Sequence, residues 1–187
     1  MITVACVEWG NYCGRGADYV KRLQSMVGRH LHQPHRFECV QPDVGLQGWW
    51  NKIELFKPGR FEGRVLFFDL DTVIVGPIDE LAAHKGILHL KHWGWTRNDY
   101  NSSVMVWDAG EHADIFERFT PDVPKQYRGD QDWMTALGGW PEIRPGICVS
   151  NKYHCGKGVP DGASVVCFHG NRKPHQFESG WVAGNWR

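Results

Sequence analysis

The chain has 187 residues, 42% hydrophobic and 22% charged, which suits one folded domain with a real core and excludes a disordered chain. Lys plus Arg and Asp plus Glu balance at 21 each, so no whole-molecule field draws it to nucleic acid or to an anionic membrane, although a local basic patch stays open. No apolar run is long enough to span a bilayer, and six scattered cysteines without a Cys-x-x-Cys pair argue against zinc and for free thiols in a reducing compartment.

Thr3 to Val7 reads as a buried strand. It starts without the basic segment of a secretion signal, so a cytoplasmic protein is expected. Glu8 to Tyr12 is a polar loop with aromatics, and Val20, Leu23, Val27 and Leu31 then form a helical stripe across 17–31. His35 to Val40 reads as a second strand. A Pro- and Gly-bearing loop, 41–48, leads to a short helix at Trp49 to Phe56 that Pro58-Gly59 ends. After a long apolar strand come a helical turn at Ile78 to Ala83, a weak strand at Gly86 to Leu90 and a polar-aromatic loop, 92–100. Ser103 to Trp107 is expected as a strand introduced by Asn101-Ser102, Glu111 to Phe119 as a helix, 121–129 as a loop and Asp130 to Leu137 as a helix. Two short strands, near 146–150 and 164–168, precede a loop-like tail with Trp181 and Trp186. This alternation defines an α/β protein with no repeat or linker.

The long strand carries the chemistry. In Gly63-Arg64-Val65-Leu66-Phe67-Phe68-Asp69-Leu70-Asp71-Thr72-Val73-Ile74-Val75-Gly76-Pro77 an apolar run bounded by turn residues fits a strand buried on both faces. Residues i and i+2 of an extended segment share a face, so Asp69 and Asp71 are expected to point the same way at its end. Two such anions repel unless a cation stands between them, and carboxylate oxygens suit a hard divalent metal. By itself an Asp-x-Asp pair also fits a surface Asp and a capping Asp beside a core strand. Its place at the end of a buried strand favours a ligand site.

Residues 66–81 resemble the Asp-x-Asp segment of family 8-type, glycogenin-like glycosyltransferases. Further segments are similar to motifs of that family in matching order: Tyr12 to Ala17 to Tyr-x-x-Gly-Ala, Asn51-Lys52-Ile53 to Thr-Lys-Leu, Tyr100 to Val106 to Phe-Asn-Ser-Gly-Val, Gly129 to Asp132 to Gly-Asp-Gln, and Phe168 to Pro174 to a terminal His-Phe-x-Gly-x-x-Lys-Pro. The resemblance implies a GT-A fold: a Rossmann-like, mixed but mostly parallel sheet flanked by helices, in one domain. Its nucleotide-binding part would be about 1–75, and its acceptor side and C-terminal metal and diphosphate loop about 76–187. It also implies transfer of a hexose from a nucleotide sugar, UDP-linked by resemblance, with retention of configuration.

By resemblance, Asp69 and Asp71 hold Mn2+ or Mg2+ against the diphosphate. The family's metal histidine falls on Cys167 in direct register. A hard site disfavours thiolate, and His169 shares the face of Cys167 if the strand continues, so His169 is expected as the third ligand. Lys173 and the Gly170 backbone would meet the diphosphate. Lys52 contacts the donor or is a surface residue of an amphipathic helix. Asn101, Ser102, Asp130 and Gln131 would surround the transferred sugar, Asn101 and Asp130 being equally suited to capping. Leu70 lies between the two carboxylates on the donor side. Tyr12 would stack on the base or be core, and Val7 and Glu8 would lie by base and ribose. Asp130 and Gln131 are the candidate catalytic pair. A glutamine is no strong nucleophile, which favours front-face attack, with the leaving phosphate taking the acceptor's proton.

Two rivals have their own signals. Phe67 to Thr72 is also similar to the first motif of haloacid-dehalogenase-type phosphatases, with Asp69 as nucleophile, but 68 residues precede it and no late Asp pair follows. Ten tryptophans also suit a non-catalytic sugar-binding module. The acceptor stays open between a saccharide, a protein and a modified nucleic-acid base. Trp93, Trp95, Arg97 and Tyr100 of the 92–100 loop and the two tail tryptophans are the candidate contacts.

Overall fold

A computed structural model of the protein describes residues 1–187 apart from Val44 and Asn98. Those two positions, in the 41–48 and 92–100 loops, lie outside the described residues.

The main sheet forms where the apolar runs were expected. β1 (Ile2–Val7) pairs in parallel with β2 (His35–Val40) and with β3 (Arg64–Phe68). The helix α1 (Gly16–His30) crosses from β1 to β2. A 3₁₀ segment, Gly48–Phe56, leads toward β3. The chain then makes β4 (Thr72–Ile74), α2 (Asp79–Ala83) and β5 (Gly86–His89) before β6 (Tyr100–Asp108). β6 runs antiparallel to both β3 and β5, so the five-stranded order is β2-β1-β3-β6-β5 with only β6 reversed. This is the mixed, mostly parallel sheet expected for the class.

The unbroken apolar run of β3 is explained by two cores. Leu66 and Phe68 join α1 residues Tyr19, Leu23 and Met26 on one face. Val65 and Phe67 join Trp50, Ile53 and Phe56 of the 3₁₀ segment on the other. β6 alternates in the same way, Val104 and Val106 toward α1, Met105 and Trp107 away from it. Each such side chain, fully buried, contributes about 1.5–3 kcal/mol relative to leaving it exposed.

The second half departs from expectation in several places. α3 is only Asp114–Glu117, because His112 takes a left-handed backbone (φ 58°) and lies flat on Trp140, 3.9 Å between ring centroids, which delays the helix. The 121–129 loop contains α4 (Val123–Gln126); α5 (Asp130–Leu137) follows as expected. β7 (Cys148–Ser150) runs directly into α6 (Asn151–His154), and β8 (Val165–Cys167) completes a second sheet, β4-β8-β7. The tail is not all loop. It carries α7 (Gly180–Asn185), and Trp186 is buried edge-on to Tyr19 under the Arg22 guanidinium, while Trp181 packs on Phe168. Trp186 is therefore core, and Trp181 is half-buried against it. Asn101 and Ser102 lie inside β6 rather than ahead of it.

The expected carboxylate strand breaks. Thr72 N–H donates to Asp69 O at 3.1 Å, closing a turn over Asp69-Leu70-Asp71 that passes the chain from β3 in one sheet to β4 in the other. Asp69 N–H donates to Ser103 O at 2.8 Å, tying the turn to β6. Among the described residues no helix is long and apolar enough to cross a membrane.

Candidate active site

The turn between the sheets stands at the joint of two cavities. One, of about 440 Å³, is walled by Val7, Trp9, Tyr12 and Leu70. The other, of about 530 Å³, holds Asn101, Ser102, Asp130, Gln131, Gly170 and Lys173. Both volumes are in the range of small-molecule sites. Trp49, Lys52, Asp69 and Asp71 belong to both. Both carboxylates thus line the same two cavities, from a turn rather than along the extended strand that was expected.

Each carboxylate has its own cation. Lys52 Nζ is 2.7 Å from Asp69 Oδ1 and 3.6 Å from Asp130 Oδ2, and it donates to Ser102 Oγ at 2.9 Å. Burial alone would lower Lys52, but Asp130 and Asp69 outweigh it and hold its ammonium raised and charged. Lys52 is therefore a buried partner and not a surface residue. Lys173 Nζ is 2.5 Å from Asp71 Oδ2, and the Tyr12 hydroxyl donates to the same oxygen at 2.8 Å. Burial, then the Asp69 charge, pushes the Asp71 carboxyl up, against the pull of Lys173 and Tyr12. Burial and Asp71 likewise raise the Tyr12 phenol.

A second network orders the floor. The Ser102 hydroxyl donates to Asp130 Oδ2 at 2.5 Å, and Ser102 N–H donates to Gln131 Oε1 at 3.2 Å. Burial raises Asp130, while Lys52 and Ser102 pull it down. Asn101 Oδ1 accepts from Ser103 N–H at 3.0 Å, which fixes that side chain within β6. Asp130 opens α5, so its backbone position is a helix start, yet its side chain is spent on Ser102 and Lys52 rather than on a cap.

Two expected residues sit elsewhere. Glu8 turns back beneath the start of α1 and accepts from Tyr12 N–H at 3.3 Å; a Cβ on Gly16 would stand 2.3 Å from its Oε1. It shapes the loop and does not wall the first cavity. His169, expected as the third metal ligand, lines the second cavity but meets Ser150 Oγ with Nε2 at 2.6 Å and stacks on Trp93 at 5.3 Å. Burial, then Lys152 and Lys173, lowers its pKa, which favours the neutral ring. Cys167 is buried opposite Thr72, its thiol pushed up by burial, then by Cys148 and by both aspartates. Among the described residues no group of three His, Cys, Asp or Glu side chains is placed to hold a metal.

Asp69 and Asp71, which line both cavities, still offer the carboxylate oxygens that a hard divalent cation takes. Around the second cavity, among the described residues, Lys52, Arg97, Arg128 and Lys173 face five carboxylates: Asp69, Asp71, Asp99, Asp130 and Asp132. Mg2+ and Mn2+ take oxygen donors, and Mg2+ is commonly bound by one or two carboxylates plus phosphate oxygens and water.

Trp9 and Trp49 are wall residues that motif matching missed. Their signal in the sequence is a large ring beside glycine, at Trp9-Gly10 and Gly48-Trp49.

No protein-family model matches the sequence, and the comparison with curated proteins finds no match. Solved structures do match. The fold is the GT-A type found in glycosyltransferases. The galactosyltransferase LgtC, in complex with donor and acceptor sugar analogs, is similar with a TM-score of 0.64 at 14% identity, over 92% of this chain and 88% of that one. GlyE of Streptococcus pneumoniae TIGR4 has a TM-score of 0.63 at 12% identity, over 99% of this chain and 61% of that one. A glycosyltransferase involved in glycosylation of the major capsid of PBCV-1 has a TM-score of 0.61 at 15% identity, over 94% and 96%.

Proposed function

We propose that the protein is a metal-dependent glycosyltransferase that moves a hexose from a nucleotide sugar, UDP-linked, to an acceptor with retention. The observation that carries this is the pair of adjoining cavities joined at Asp69, Asp71 and Lys52. A nucleoside suits the first, with its aromatic walls. A hexose suits the second, with its polar floor. The diphosphate between them would then lie against the carboxylate turn. The shared fold with LgtC, GlyE and the PBCV-1 enzyme supports the same chemistry.

Asp69 and Asp71 would hold Mn2+ or Mg2+, which supplies positive charge against the departing diphosphate. Lys52 and Lys173 add to that charge and orient the carboxylates. Ser102, Asp130 and Gln131 position the hexose. The acceptor hydroxyl oxygen bonds to the anomeric carbon on the face the diphosphate leaves. As the old C–O bond breaks, a diphosphate oxygen takes the hydroxyl proton. The test is calorimetry of a nucleotide-sugar panel with Mn2+ and with EDTA, followed by turnover. Tight, Mn2+-dependent binding of one UDP-hexose is expected, and undiminished turnover in EDTA would overturn the metal role.

A further inference from the structure

Trp95 lines a third cavity as well as the one containing Asp130. This further cavity, of about 600 Å³, is otherwise walled by Trp93, Gly94, Thr96, Tyr153 and His154. Trp95 and Tyr153 are 47% and 42% exposed, unusual for large aromatic rings. They are not loose. Tyr153 rests on His169, 5.4 Å between centroids, and His169 stacks on buried Trp93. Ser150 holds the assembly from behind, because its hydroxyl meets His169 and also accepts from Tyr153 N–H at 3.3 Å to cap α6. A prepared aromatic wall of this kind, continuous with a polar cavity, fits a ligand with apolar faces and hydroxyl edges.

Charge decides between ligand classes. On the shared rim Arg97 is paired with Asp99 at 3.0 Å and Arg128 with Asp132 at 2.8 Å. The carboxylates of the cavity outnumber its cations. On the Asp130 side, among the described residues, a nucleic acid or another polyanion finds no uncompensated positive field; on the outer side Lys152 Nζ stands 5.3 Å over the Tyr153 ring.

We propose that Trp95 separates two consecutive saccharide subsites. The acceptor is then an uncharged glycan of at least two sugar residues, its terminal residue beside Asp130 and the next between Trp95 and Tyr153. This assigns His169 to the acceptor wall. The proposal rests on the transferase function above.

The experiment uses the full chain with UDP and Mn2+. Wild type, Trp95→Ala, Tyr153→Ala and Tyr153→Phe are applied to an array of neutral and charged glycans of one to six residues, peptides and single-stranded DNA. The best glycan is then titrated, and UDP is titrated on every preparation. Hits are expected among neutral glycans of two or more residues. Each alanine variant should bind them on the order of tenfold more weakly, as when a well-packed aromatic contact is truncated, while Tyr153→Phe binds as wild type does. Binding confined to monosaccharides, peptides or DNA, no glycan bound at all, or alanine variants equal to wild type would overturn the second subsite. Any of these with UDP bound leaves the transferase function standing. Absence of UDP binding by wild type overturns both.

Discussion

Ser102 and Asp130, 28 residues apart in sequence, share a 2.5 Å hydrogen bond in which the serine hydroxyl donates to the carboxylate. This bond links β6 to the first residue of α5 and opposes the burial that raises Asp130. Ser102→Ala therefore removes a downward influence, and the Asp130 pKa rises further. If transfer uses the ionised form, the acid limb of the kcat/KM profile moves to higher pH. The optimum rate also falls by about tenfold or more, since a hydrogen bond to a charged group is worth about 1.5–3 kcal/mol. A pH–rate series on both proteins checks the direction.

The carboxylate turn is expected to be indispensable for transfer but costly for the metal-free fold. Asp69→Asn and Asp71→Asn should each lower turnover by about 10²-fold or more, measured with saturating donor and Mn2+. For Asp71 the sign with pH is also defined. Its folded pKa is raised, so its contribution to stability is present below the ordinary carboxylate range and lost as pH rises through the folded value. Denaturant unfolding without metal between pH 3 and 7 (about the carboxylate range) should show a smaller loss of stability for Asp71→Asn than for wild type.

Lys52 is the cation between two carboxylates and is largely enclosed. Lys52→Met leaves Asp69 and Asp130 without it and should destabilise the fold by about 3–5 kcal/mol. Adding Asp130→Asn removes one of the stranded charges. The double variant should recover part of the loss, a coupling that chemical denaturation of the full cycle measures.

The sequence made the strand ends and their motifs legible, because apolar runs with turn residues at each end are local signals. β1, β2 and α5 fall where the pattern puts them, and so does the convergence of Lys52, Asp69, Asp71, Asp130 and Lys173 on one place. What escaped depends on contacts distant in sequence. The second sheet exists because three short strands find each other across the chain. The His112 backbone is held against Trp140, and the tail helix is held by Arg22 and Tyr19. Glu8 and His169 are polar side chains beside a site, and only packing decided which way they turned.

Gly129 offers a test of the wall shared by the first two cavities. Its backbone is extended, so alanine is sterically allowed, but a Cβ there would stand 2.7 Å from Trp49 Nε1. Trp49 is 59% exposed, so its ring faces solvent into which it can shift. Gly129→Ala should therefore change stability by no more than about 0.5 kcal/mol while weakening UDP binding severalfold. Tryptophan fluorescence and calorimetry on the same sample check both halves.

Asp69 and Asp71 occupy the link where β3 of one sheet hands over to β4 of the other, so a shift of either sheet acts on the turn that carries both side chains. An ion grasped by both side chains would rivet the two halves of the molecule together.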